Sequence, residues 1–251
     1  MSNWDRFIEK PIVYILKALL IITLSITRIL DLRIGLLPRS LSIRPTRRLR
    51  IPASGPTKRT ISIHVFEPPK INEYKRPLPV HINFHGSAFV LPVHGSDAEI
   101  CTYLATKLGC IVLDADYAKA PKHPFPAAID DAMAVLSYVS SGPNIYDLDR
   151  VSIGGFSAGA NVAILAAIRA TKSSFPLHIK SIIAWYPPTN LTRAGTDAKS
   201  GSSLLNWLHH TLRSCYLPPG IDRGNPLVSP LFAKSSLFPP TTLIVSALVI
   251  G

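Results

Sequence analysis

Ser157 has the sequence surroundings of an activated nucleophile. It lies in Gly155-Phe156-Ser157-Ala158-Gly159, a G-x-S-x-G pattern, between an apolar run at 151–154 and an alanine-rich stretch at 158–171. This order predicts a strand, a strained tight turn, and a helix whose free N–H groups face developing negative charge. Glycines at 155 and 159 prevent collisions with neighbouring elements. The alternative is an ordinary serine in a glycine-rich turn.

A second polar segment, FHGSAFV at 84–90, directly follows another predicted strand. His85 taken alone is typical of a buried loop histidine that holds the loop by hydrogen bonds. We prefer this structural role for His85 to direct proton transfer.

Short β-rich runs alternate with helical stretches from about residue 60. Strands are predicted at 60–66, 79–84, 110–114, 151–154, 181–185 and 241–246, and helices at 97–108, 127–140, 158–171 and about 204–215. The alternation predicts an α/β fold with a mostly parallel sheet covered by helices on both faces. Residues 191–235 break the rhythm, which is the form expected of a lid inserted over an active site.

Three segments, taken in order, resemble a known family. Residues 85–89 are similar to an HGGGF motif, residues 116–131 (DYAKAPKHPFPAAIDD) to a D-Y-x-x-A-P-x-x-x-F-P-A-x-x-x-D block, and residues 155–159 to a nucleophile elbow. The later Asn225-Pro226 and Ser229-Pro230-Leu231 resemble an N-P…S-P-L stretch. This combination resembles the α/β-hydrolase fold-3 group, the hormone-sensitive-lipase-like esterases, over residues 60–246.

The resemblance implies a serine hydrolase that cleaves small acyl esters without a cofactor. It implies Ser157 as nucleophile, the N–H groups of Ser87, Ala88 and Ala158 as oxyanion donors, and support from His85, Gly86, Gly155 and Gly159. Ser87 and Ala88 stand where the family pattern has glycine, which reduces the freedom of the loop backbone. No metal-ligand spacing appears, and the three cysteines do not form a CxxC pair or suggest a disulfide framework.

The acid and the histidine of a Ser-acid-His triad are not found in the family's places. After Ser157 the acids are Asp197 and Asp222, and the histidines are His178, His209 and His210. Only Asp197 with His209 or His210 keeps the order of the triad, and that pair falls in the lid-like segment. We therefore expect a fold that lacks its last strand and helix, and a chain that is inactive or severely impaired. The alternative is a non-catalytic ligand-binding or membrane-associated pseudo-hydrolase.

Residues 1–59 are predicted to form an apolar helix and a basic arm, and residues 60–251 the hydrolase domain. The net charge of +12 is concentrated in the arm, and no motif indicates nucleic-acid binding. The apolar segment 11–30 is interrupted by Lys17 and Arg28, so a membrane anchor and a cap helix packed on the domain both stay open, whereas a signal peptide fits poorly. If the segment spans, the arginines after it place the hydrolase domain in the cytosol. A cytoplasmic or membrane-associated protein is expected; the oligomeric state is not indicated.

Overall fold

The computed structural model describes residues 11–15, 17–18, 43–55, 58–74, 77–142, 144–192 and 203–246. Seven strands in these residues form one sheet of order β1-β2-β4-β3-β5-β6-β7. The first two strands run antiparallel to their neighbours, and all the others are parallel. The strands are β1 Arg47–Pro52, β2 Thr60–Phe66, β3 Leu78–Phe84, β4 Ile111–Ala115, β5 Tyr146–Phe156, β6 Ile179–Trp185 and β7 Thr241–Val245.

Besides the helical residues near the N-terminus, four α-helices lie in the described ranges: α1 Ala98–Leu108, α2 Ala127–Ser141, α3 Ala158–Lys172 and α4 Ser203–Tyr216. Short 3₁₀ helices lie at Ile71–Glu73, Pro230–Phe232 and Ser235–Leu237. Alternate residues of β4 enter different hydrophobic clusters: Ile111 and Leu113 join the main one, and Val112 joins a smaller one with Cys101 of α1. Because successive strand residues point to opposite faces, the sheet is covered on both sides, and the predicted α/β-hydrolase fold is confirmed.

The sheet begins within the segment predicted as an arm. β1 pairs along its whole length with β2, from Arg47 opposite Val65 to Pro52 opposite Thr60. Its residues alternate arginine with a less polar residue, and Ile51 is buried. The repeated arginines hid this strand in the sequence, because they raise the charge of a segment whose other face is packed.

The described part of the N-terminal apolar segment contacts the domain. Residues 11–15 and 17–18 are helical, and Val13 is only 1% exposed within the main core. The Lys17 Nζ donates a hydrogen bond of 2.5 Å to the carbonyl of Ala120. These contacts are those of a cap helix. No described helix is both long and apolar enough to cross a membrane. Residues 16 and 19–42, which include most of the segment for which an anchor was predicted, lie outside the described ranges, and the anchor stays a prediction.

The lid-like segment 191–235 is partly integrated into the domain core. Leu212 and Tyr216 of α4, and Val228 beyond it, are buried in the main hydrophobic cluster. The Tyr216 ring stacks on Phe89 with centroids 3.8 Å apart, and the Tyr216 carbonyl accepts the Phe125 N–H at 2.9 Å. The described end of the segment is therefore packed against the loop that follows β3; residues 193–202 are not among those described.

Candidate active site

Ser157 is located at the turn between the carboxyl end of β5 and the first residue of α3. Its backbone has φ 47° and ψ −117°, a conformation that costs a non-glycine residue of order 1–3 kcal/mol. The Ser157 N–H donates to the carbonyl of Trp185 at 2.9 Å, which ties the turn to the end of β6. The strained turn holds the serine side chain above the sheet edge, as the G-x-S-x-G pattern predicts.

The two glycines of the elbow are required by a close approach of β3. A Cβ on Gly155 would lie 2.1 Å from the carbonyl oxygen of Phe84, and a Cβ on Gly159 would lie 2.0 Å from the same atom. On Gly159 the added carbon would also meet the carbonyl oxygen of His85 at 2.5 Å. These obstacles are backbone atoms that cannot rotate away. The start of α3 therefore packs directly on the residues that open the 85–89 loop.

Gly86 is under a weaker constraint. A Cβ there would lie 3.4 Å from the Phe156 carbonyl oxygen, which is ordinary van der Waals contact. This distance places Gly86 beside the elbow. The motif glycine in the loop is thus close to Ser157 without being sterically obligatory.

The loop after β3 keeps a glycine-like shape without the family's glycines. Ala88 has φ 48° and Phe89 has φ 63°, both in the left-handed region. The Ser87 carbonyl accepts the N–H groups of Val90 at 2.9 Å and Leu91 at 2.7 Å. The Phe89 ring, stacked on Tyr216, adds packing that helps to hold a backbone strained at two successive residues.

Three N–H groups near the elbow have no acceptor in the described part of the chain. They belong to Ser87, Ala88 and Ala158, for which no hydrogen bond to a described backbone or side-chain acceptor is formed. Ala158 is the first residue of α3, where an N–H has no intrahelical partner. Ala158 and Ser87 are almost fully buried. Unsatisfied donors at such positions are suited to an anionic oxygen.

His85 is a loop-holding residue in this structure. It is fully buried, with Nδ1 3.1 Å from the Gly86 carbonyl oxygen and Nε2 3.4 Å from Asp116 Oδ1. Burial alone would raise the pKa of Asp116, but the His85 hydrogen bond and the Lys119 ammonium outweigh it and hold that pKa well below its usual value. These partners are consistent with the predicted structural role.

Tyr117 joins the D-Y block to the loop. The Tyr117 hydroxyl donates a hydrogen bond of 2.8 Å to the His85 carbonyl. The Ser87 hydroxyl oxygen lies 2.6 Å from the Tyr117 hydroxyl oxygen. Burial raises the pKa of Tyr117, so the phenol stays protonated and keeps donating. These contacts tie the D-Y block to the backbone carbonyl of His85 and to the side chain of Ser87.

Two aromatic residues beside the nucleophile were not singled out from the sequence. The Phe156 and Trp185 rings stack with centroids 5.6 Å apart and an angle of 9° between planes. Both residues end strands that flank Ser157. The sequence signal that could have identified them is an aromatic residue at the carboxyl end of each of two predicted parallel strands.

The structure does not bring a base to Ser157 within the described residues. The Ser157 hydroxyl makes no hydrogen bond there. His178 is exposed and precedes β6, at the sheet edge opposite the elbow, while Asp222 accepts the Gly224 N–H at 2.9 Å in a local turn. Asp197 and the side chain of His209 lie outside the description. The pairing of Asp197 with His209 or His210 therefore stays a prediction.

A strand-elbow-helix serine beside a left-handed loop, on a mostly parallel sheet, defines the class of serine-nucleophile α/β proteins. A family model described as the alpha/beta hydrolase fold matches residues 81–248. The chain belongs to this family, in its fold-3 group, as its three sequence motifs predicted.

Individual relatives carry several names. The chain is 34% identical over 131 residues to esterase LipI of Mycobacterium tuberculosis, covering 51% of this chain and 40% of that protein. It is 30% identical over 197 residues to 2-hydroxyisoflavanone dehydratase of Glycyrrhiza echinata, covering 68% and 58% respectively. The chain thus spans about half the length of such relatives. Because one is named an esterase and the other a dehydratase, membership of the family does not fix the reaction.

Solved structures support the fold. An esterase of the archaeon Pyrobaculum calidifontis superposes with a TM-score of 0.69 at 24% identity, covering 83% of this chain and 78% of that one. At this identity the similarity shows the fold alone.

Proposed function

We propose that this chain carries the nucleophile half of a serine ester hydrolase that works by acyl transfer through Ser157. The observation that carries the proposal is the elbow itself: a strained serine at the start of a buried helix, facing a loop with two unbonded N–H groups. A relative named as an esterase supports ester hydrolysis over other reactions of the fold.

In the proposed reaction the Ser157 Oγ attacks the ester carbonyl carbon. The carbonyl π electrons move to oxygen, and the resulting oxyanion accepts hydrogen bonds from the N–H groups of Ser87, Ala88 and Ala158. The oxyanion collapses, the bond to the alkoxy group breaks, and the alcohol leaves with the proton that came from Ser157. Water then adds to the acyl-enzyme and releases the carboxylic acid and the free serine.

Proton removal from Ser157 is the step that the described residues do not supply. The sequence has no acid after Asp222 and no histidine after His210. We propose that the polypeptide of residues 1–251, tested by itself, reacts slowly, since a serine without its base is a weak nucleophile. The oxyanion donors alone leave roughly 10³–10⁴-fold catalysis over water in well-studied triad enzymes.

The experiment is p-nitrophenyl acetate hydrolysis by the purified 1–251 polypeptide beside Ser157→Ala, after circular dichroism has shown that both are folded. We expect a slow release of p-nitrophenol that is abolished by Ser157→Ala. Hydrolysis that is the same in both would remove Ser157 as the nucleophile.

Turnover as fast as that of an ordinary esterase would instead contradict the impairment, and would direct attention to Asp197, His209 and His210. Separate Asp197→Asn, His209→Gln and His210→Gln variants would then identify the base.

The retained elbow and loop also favour a second candidate, a non-catalytic acyl-ligand site. The observation is that unbonded N–H donors, two of them on almost fully buried residues, persist beside Ser157 in the described residues, where a base is not found. Micromolar binding of a non-hydrolysable phosphonate ester, measured by calorimetry and without ester turnover, is the expected signature. Failure of the folded chain to bind the phosphonate would exclude this candidate.

A further inference from the structure

Two histidines and a buried aspartate lie close together beside the neighbouring strands β2 and β4. His64 lies on β2, Asp114 on β4, and His94 in the segment between β3 and α1. Each of the three offers one ligand atom, and these atoms all lie within 4.8 Å of one another. The His64 and His94 rings stack with centroids 3.9 Å apart and planes 17° apart. The residues are far apart in sequence, so their spacing gave no indication of a metal site.

Asp114 is the residue that needs explaining. It is fully buried, and its Oδ1 accepts a hydrogen bond of 2.9 Å from the Asn83 amide. Its other oxygen, Oδ2, is buried and accepts no hydrogen bond from the described residues. His94 Nε2 lies 3.4 Å from Oδ2 but 3.0 Å from the Asp114 backbone carbonyl oxygen, which takes its hydrogen bond. A buried carboxylate oxygen without a donor is costly unless another positive partner satisfies it.

We propose that His64, His94 and Asp114 form a binding site for a divalent transition metal of the zinc type. Two imidazoles and one carboxylate are a donor set that suits Zn²⁺, whereas Ca²⁺ and Mg²⁺ prefer oxygen ligands alone. Three protein ligands leave the fourth tetrahedral position to water. Asn83 supplies the outer hydrogen bond that orients the ligating carboxylate.

The surroundings of His64 give a metal ion access to the cluster and leave the His64 ring space to tilt. His64 is half-buried and lines an open groove of ≈ 330 Å³ together with Arg48, Arg50 and Ser62. Nitrogen lone pairs lie in the ring plane, so two stacked rings must tilt apart to share one ion. The half-exposed His64 has room to do so.

The bound ion would join the loop before α1 to β2 and β4. Asp97, at the end of that loop, accepts a hydrogen bond of 3.1 Å from the same Asn83 amide. The His85 ring, at the start of the 85–89 loop, has its centroid 5.6 Å from that of His94. The site therefore lies next to the 85–89 loop, and its role is to stabilise the segments that it joins rather than to activate water for ester cleavage.

The test uses tag-free 1–251 polypeptide, treated with chelator and then titrated with Zn²⁺ by calorimetry and with Co²⁺ by visible absorption. We expect about one Zn²⁺ per chain, a tetrahedral Co²⁺ spectrum, and a higher Tm with zinc, since a ligand of the native state stabilises it. His64→Gln should weaken binding by at least about tenfold. His178→Gln, at an exposed histidine elsewhere, is the matched control and should bind as the parent does.

Absence of stoichiometric binding would overturn the proposal, as would binding that His64→Gln leaves unchanged. Asp114→Asn guards against a folding artefact: a variant that is folded by circular dichroism but no longer binds supports the site. A His209→Gln/His210→Gln variant tests the adjacent histidine pair, and loss of binding there would assign the ion to α4 and not to this cluster. None of these readouts depends on ester hydrolysis, so the outcome is independent of the proposed reaction.

Discussion

At the scale of single residues, the site is defined by positions whose backbone conformation or close contacts restrict which residue can be accommodated. Ser157 with φ 47° and Ala88 with φ 48° are strained L-residues, and each lies next to or near the contact between Gly86 and Phe156. Such strain persists only when the surroundings determine the conformation, as the Tyr117 and Phe89 contacts do here.

The two motif glycines on either side of this contact should respond very differently to alanine. Gly159→Ala places a Cβ on two backbone carbonyl oxygens and should lower the free energy of unfolding by about 2–4 kcal/mol. Gly86→Ala meets its nearest atom at 3.4 Å and should cost less than about 1 kcal/mol. Urea unfolding of the two variants beside the parent measures the difference. Equal losses would mean that the elbow does not approach β3 as described.

At the scale of elements, the central strand β3 carries polar side chains into the interior. Asn83 bonds to both Asp97 and Asp114, and His81 is buried with its Nδ1 2.8 Å from the Ser152 hydroxyl on β5. Burial lowers the pKa of His81 to about 4, because the charged imidazolium loses its hydration there.

The depressed pKa of His81 predicts a loss of stability in mild acid. In the unfolded chain this histidine takes up a proton near pH 6.5, whereas the folded chain does not until about pH 4. The unfolded state therefore binds more protons between those values, and stability falls as the pH falls, with a slope of up to about 1.4 kcal/mol per pH unit from this one group.

His81→Gln should remove that contribution and flatten the pH dependence between 6.5 and 4. Urea unfolding at a series of pH values gives the slope for each protein, and His178→Gln serves as the control at an exposed site. An unchanged slope in His81→Gln would show that another group carries the acid sensitivity.

The elements also show how much the sequence could disclose. Five strands and four helices were predicted close to their observed bounds, because buried parallel strands and amphipathic or alanine-rich helices have distinct patterns. A sixth strand was predicted only at 151–154, within the longer β5. β1 was missed because its solvent-facing arginines mask an alternation with one packed face. The left-handed loop at Ala88 and Phe89 could not be read, since neither residue favours that region. The His64–His94–Asp114 cluster depends on strand order, which no local pattern encodes.

At the scale of the whole molecule, β7 is an exposed edge in the described residues. It pairs with β6 on one side, and Leu243 and Ile244 are 52% and 49% exposed. Beside it, Ile164, Phe238 and Ile244 line an apolar groove of ≈ 350 Å³. Unpaired N–H and C=O groups next to apolar side chains form a template for pairing with another chain.

We therefore expect the 1–251 polypeptide to self-associate through this edge, and Leu243→Lys to suppress the association. Leu108→Lys is the matched control, because Leu108 is an equally exposed leucine (64%) at the end of α1, away from the edge strand. Light scattering against protein concentration should show a higher onset for Leu243→Lys only. Equal shifts in both variants would attribute the association to exposed apolar area in general.

The strand order has a consequence for how the domain is made. After β4 has paired with one side of β3, β5 pairs with the other side of β3, β6 with β5 and β7 with β6. The last three strands therefore extend the sheet in one direction in the order of synthesis. A chain emerging from the ribosome can add these three strands one after another as they appear. As each of these strands is added, it becomes an edge strand with unpaired backbone groups. Chaperone contact should therefore move to each new edge strand as translation proceeds.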